Sequence, residues 1–137
     1  MYTDNSETVK TVIITTDTIT QLKEAFTEEA CTIVQCVYVS KKKFVNGGWV
    51  NIYPTTYLKS ADGTIELQLL HAVGIPVAPA IHVFDSPLQV KRFTLYFPAI
   101  PKDWEVFSLM EYADTSKGFK VNNIRRNNAG VYYAHLV

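Results

Sequence analysis

Along most of the chain, apolar and polar residues alternate with a period of two, the spacing of a strand with one dry face and one wet face. In TIELQLL, Ile65, Leu67 and Leu69 alternate with Thr64, Glu66 and Gln68. In KRFTLYF, Phe93, Leu95 and Phe97 point one way while Arg92, Thr94 and Tyr96 point the other. The run ACTIVQCVYV is apolar on both parities, with Ile33, Val37 and Val39 on one and Val34, Cys36 and Tyr38 on the other. That pattern predicts a central strand covered on both faces. WVNIY, AIHVF, WEVFSLMEY, FKVNNI and VYYAHLV supply further strands.

Turn signals separate these runs: VNGGW, SADG, GIPVAP, DSP, FPAIPKD and TSKG. Short strands broken at intervals of about ten residues are the mark of a sandwich or barrel. One segment resists. From Thr18 to Ala30, Ile19, Leu22, Phe26 and Ala30 stand at helical spacing behind a Thr18–Gln21 capping box, yet the neighbouring residues favour strands. Helix and strand–turn both stay open there. Residues 1–137 read as a single domain, with a flexible terminus over the first eight.

Composition supports a packed core. Hydrophobic residues make up 47% and charged residues only 19%, which argues against disorder. Thirteen basic residues balance thirteen acidic ones, so no global field draws in nucleic acid or an anionic surface. No apolar run approaches the roughly 18 residues of a membrane span, and MYTDNSETVK holds no hydrophobic signal core. The compartment stays open. Cys31 and Cys36 are not spaced as a CxxC redox or zinc pair. On a strand, their odd separation sends the thiols to opposite faces about 16 Å apart, beyond disulfide reach.

LLHAVGIPVAPAIHVF holds two of the three histidines, His71 and His82, and raises the question of a metal or catalytic site. Zinc wants three or four ligands, with pairs at short fixed spacing, and the spacing here is eleven. Pro76 and Pro79 remove two backbone donors, and Gly74 supplies freedom to turn, so the stretch reads as a corner between strands. Both cysteines lie in an apolar strand, which raises a thiol pKa rather than activating it. The chain has no GxSxG, GxGxxG or GxxxxGK[ST] motif, and Asp62, Asp85, Asp103 and Glu105 fall in turns or at strand ends. The expectation is a protein without catalytic residues, metal or cofactor.

Aromatics are the more informative excess. Trp49, Tyr53 and Tyr57 lie within GWVNIYPTTYL, and Trp49 and Tyr53 share a parity. Exposed, such rings could stack on sugars or anchor a protein partner. A tryptophan on an inner strand is also an ordinary core residue, and that placement is expected for Trp49. Tyr53 and Tyr57, with hydroxyls that prefer a wet edge, are balanced between the two roles. KKKF at 41–44 reads as a solvated hairpin tip. RRNNAGVYYAHLV reads as a turn feeding a last strand that covers an edge or pairs with a partner chain.

The order of these elements resembles a bacterial β-sandwich module of cell-envelope proteins, sometimes found ahead of thioredoxin-like disulfide reductase domains. The likeness spans roughly residues 19–124. It rests on Trp49 and Ile52, on Thr56, Tyr57 and Leu58, on Asp62 and Gly63, and on Gly74 and Ile75. It continues through Phe93, Leu95, Phe97, Pro98, Pro101 and Phe107 to Phe119, Val121 and Ile124. No CxxC follows, so the redox role does not carry over, and the resemblance supplies no catalytic residues. It implies strand–turn–strand across 19–39 and an extracytoplasmic home. The expectation is therefore an all-β, immunoglobulin-like antiparallel sandwich of about seven to nine strands, a non-catalytic binding or accessory module. A protein partner is the first reading, with Trp49, Tyr53 and Tyr57 as candidate contacts. Carbohydrate binding and a small barrel around an apolar ligand are the alternatives.

Overall fold

The computed structural model describes residues 31–111 and 118–136, and among them every regular element is a strand. The first eight residues and the disputed stretch 18–30 lie outside the described residues. The two-sided run becomes β1 (Cys31–Val39), held between β10 (Val131–Leu136) and β7 (Val90–Pro98), with β5 (His71–Val73) beyond β7. A second sheet orders β4 (Glu66–Gln68), β3 (Tyr57–Ser60), β8 (Val106–Met110) and β9 (Lys120–Arg125). A short ribbon pairs β2 (Trp49–Val50) with β6 (His82–Val83). These sheets do not close into a barrel. The fold is an all-β sandwich, and the architecture for an enclosed apolar ligand is not the one these strands adopt.

Ten paired segments stand among the described residues where about seven to nine were expected, because several are only two or three residues long. Pairing between the named strands is antiparallel except between β1 and β10, where Ile33 faces Val131 and Tyr38 faces Leu136 in parallel register. The NNAG turn sets that strand in place. Asn127 Oδ1 accepts the Ala129 and Gly130 N–H groups, and its Nδ2 donates to the Val131 carbonyl.

Period two decides the core. Val34, Cys36 and Tyr38 of β1, with Phe93, Leu95 and Phe97 of β7, meet Leu58, Phe107 and Leu109 of the facing sheet. Phe107 meets Tyr132 edge-on with centroids 5.1 Å apart, tying the layers together. The other parity of the first sheet forms a smaller cluster of Cys31, Ile33, Tyr96 and Val131. Tyr96 was expected on a wet face and is buried, because Ile33, its cross-strand partner, packs beside it. Ile65 departs as well. It is exposed while Leu67 and Leu69 pack on the core, since pairing begins only at Glu66.

The proline-rich stretch is a corner, as its composition predicts. Gly74 takes φ +86°, and a Cβ there would stand 3.2 Å from the Arg92 carbonyl oxygen. The chain then runs beside Ile52, whose N–H donates to the Pro76 carbonyl and whose carbonyl accepts the Ala78 N–H. In this way it leaves the first sheet at β5 and reaches the ribbon at β6.

Candidate functional site

Two glycines with positive φ, Gly47 and Gly48, deliver the chain into β2. Trp49 is the Cα partner of Val83, so the two side chains share a face of the ribbon, while Val50 and His82 share the other. Val50 enters the core, and the His82 ring meets Phe84 edge-on at 5.0 Å. Trp49 is 56% exposed and Val83 59%. Beyond the paired residues Asn51 Nδ2 donates to the Ala80 carbonyl at 3.0 Å, fastening the two segments, and Ile81, two residues before Val83, is exposed. Trp49 was expected in the core. A sheet of two strands has only one dry side here, and Val50 and Phe84 occupy it.

The three predicted aromatics do not form one platform. Tyr53 is half-buried at the head of a turn, where its carbonyl accepts both the N–H and the hydroxyl of Thr56, at 3.0 and 2.7 Å. Tyr57 is 5% exposed on β3, opposite Gln68 and Met110. Burial, and after it the charge of Glu66, pushes its hydroxyl above the ordinary tyrosine value. Of the three, Trp49 is the exposed one, and its cross-strand partner Val83 is aliphatic and exposed as well.

Sequence reading missed what holds the turn. Glu111, 4% exposed, accepts the Tyr53 N–H on Oε2 and the Phe119 N–H on Oε1, both at 3.0 Å. Burial raises its pKa, against the lowering effect of those two donors. The signal was present, because Glu111 continues the inward parity of Phe107 and Leu109, where a carboxylate is out of place. Ser40 does comparable work one loop away. Its Oγ donates to the Ser86 carbonyl and accepts the Gln89 N–H, while its backbone exchanges bonds with Leu88 and Gln89.

The other candidates stay dispersed. His71 stacks on Tyr96, its cross-strand partner, at 6.1 Å, and His82 lies on the ribbon. Among the described residues no three His, Cys, Asp or Glu side chains group to hold a metal ion. Cys31 and Cys36 lie in different clusters on opposite faces, with burial pushing Cys31 up to about 12 and Cys36 higher still. Asp62 accepts from Ser60 and Thr64 within its own turn, and those bonds hold its carboxyl below the usual range. A shallow depression of about 270 Å³ on the outer face of the first sheet is lined by Gln35, Val37, Arg92, Tyr133 and His135. Among the described residues no helix is long and apolar enough to cross a membrane. No protein-family model, curated protein or solved structure matches the chain.

Proposed function

We propose that the protein is a non-catalytic recognition module of immunoglobulin-like character, serving the cell envelope and contacting a protein partner through the β2–β6 ribbon. The observation that carries this reading is the exposure of Trp49 beside Val83 on a ribbon whose other side is packed. An exposed indole beside its exposed cross-strand partner Val83, with Ile81 exposed two residues away on the same segment, is a surface that gains from being covered. Tryptophan is among the residues on which protein interfaces concentrate their binding energy. The aliphatic partner Val83 directly across from the indole favours a protein over a glycan, because sugar recognition relies on polar side chains beside the ring to bond hydroxyls.

Sedimentation velocity over a range of concentrations tests self-association through this surface, and a glycan panel monitored by tryptophan fluorescence tests the alternative. Trp104 is buried, so a ligand-induced change reports Trp49. Concentration-dependent association that Trp49→Ala or Ile81→Asp removes supports the reading. A glycan-induced fluorescence shift in a chain that stays monomeric replaces it with carbohydrate binding.

A further inference from the structure

We infer that a second surface, the tip formed by residues 41–46 and 85–88, docks on an anionic phospholipid surface. The tip lies where β1 ends and β7 begins, and its two loops are joined through Ser40 and through the Phe84 N–H to Gly48 carbonyl bond. Lys41, Lys42 and Lys43 stand in succession, and Asp85 is the only acidic residue in either loop. In a chain of zero net charge, this concentrates positive charge at one end. The absence of a global field therefore does not describe the field at this point.

Apolar side chains project from the same loops. Val45 is 96% exposed, Leu88 is 58% exposed, and Phe44 stands out with the Lys43 ammonium 5.2 Å from its ring centre. Leu88 holds φ +66°, a left-handed conformation that a leucine adopts only at a cost in strain. Its N–H is fixed on the Ser40 carbonyl at 3.0 Å, so the strained backbone keeps an aliphatic side chain in water. Neither turn chemistry nor core packing calls for leucine there. Apolar side chains next to a run of three lysines are the composition of a segment that lies in the headgroup region, with basic residues on anionic lipid and apolar ones at the acyl boundary. Protein interfaces are depleted in lysine, which sets this tip apart from the ribbon beside it.

This inference goes beyond the protein-binding reading and stands on different residues. Co-sedimentation with vesicles of phosphatidylcholine alone, and of phosphatidylcholine and phosphatidylglycerol in equal parts, tests it. Binding to the anionic vesicles is expected to exceed binding to neutral ones by about tenfold or more and to weaken as salt is raised. Val45→Asp with Leu88→Asp, and separately Lys42→Glu with Lys43→Glu, should each lower it about tenfold, with an unchanged melting temperature showing that the fold is kept. Ile81→Asp, further along the ribbon, should leave vesicle binding intact even where it abolishes protein association, so either proposal can fail alone. Failure to bind anionic vesicles overturns the inference, as does equal binding to neutral ones or retention by both double variants. Binding to soluble polyglutamate without vesicle binding overturns it too, and reassigns the tip to acidic polypeptides.

Discussion

Replacing Glu111 with alanine removes the one acceptor shared by two backbone N–H groups, those of Tyr53 and Phe119. Each bond to a charged group contributes about 1.5–3 kcal/mol, and a buried N–H left without a partner costs about 1–3 kcal/mol. Part of that loss is offset, because burial of the carboxylate is itself unfavourable and disappears with it. We expect a net loss of about 2–4 kcal/mol, which at a urea slope of about 2 kcal/mol/M lowers the midpoint by about 1–2 M. Glu111→Gln separates charge from shape. One amide oxygen can accept one N–H, while the amide nitrogen faces the other. The pH dependence fixes the sign. Burial raises the folded pKa of Glu111 above its ordinary 4.5, so this group's protonation-linked stability is fully present below that value and is lost as pH rises through the raised one. The stability of the native protein relative to Glu111→Gln should therefore be largest in acid and shrink as pH rises across that window. A relative stability that grows with pH there would show a carboxylate lowered by its two donors, and an alanine variant within about 0.5 kcal/mol of the native protein would refute the pinning argument itself.

Other expectations follow from single sites. Gly47→Ala should cost roughly 2–4 kcal/mol in urea or thermal melts, since φ is +87° and the new Cβ would stand 2.4 Å from the Ser86 carbonyl oxygen. Gly63→Ala meets only the flexible end of Lys59 at 3.4 Å and should cost about 1 kcal/mol, so equal losses at the two sites would refute the close-approach argument. Cys31 and Cys36 should both resist thiol reagents in the folded protein at mildly alkaline pH, because burial holds each thiol protonated, and both should react in denaturant. Rapid labelling of either in the native state contradicts the burial described here.

Alternation along the chain was enough to place the layers. Phe93, Leu95 and Phe97 face inward together because a strand side chain has only two directions to take, and burial on one side removes the choice. Two-sided apolar character likewise placed β1 inside its sheet. What alternation could not supply is what covers each face. Tyr96 and Arg92 share a parity on β7, yet Tyr96 lies beside Ile33 and is sealed, while Arg92 stays exposed. The same gap misplaced Trp49. Its parity with Tyr53 was legible, but not that β2 would pair only with β6 and show its outer face to water. Long-range bonds such as Tyr53 N–H to Glu111, 58 positions apart, leave no trace in a local pattern beyond a carboxylate at an inward position.

A ribbon of two-residue strands has too few ladder bonds to hold its own shape, and an isolated pair is marginal at best in water. Its rigidity must come from side chains that reach it from elsewhere. Asn51 fastens its two strands beyond the paired residues, Glu111 ties the following turn to the strand below, and Ser40 locks the preceding loop onto residues 86–89. All three are buried polar residues, which a core selected only for stability would replace with apolar ones. Their common effect is to hold exposed apolar side chains, Trp49 and Val83 on the ribbon and Val45 and Leu88 at the tip, in fixed positions rather than letting them fold back onto the sandwich. On the proposed reading, side chains already fixed in this way would lower the ordering cost of association. The strain at Leu88 and the buried charge at Glu111 are then two parts of one arrangement, in which stability is given up inside to keep apolar groups outside.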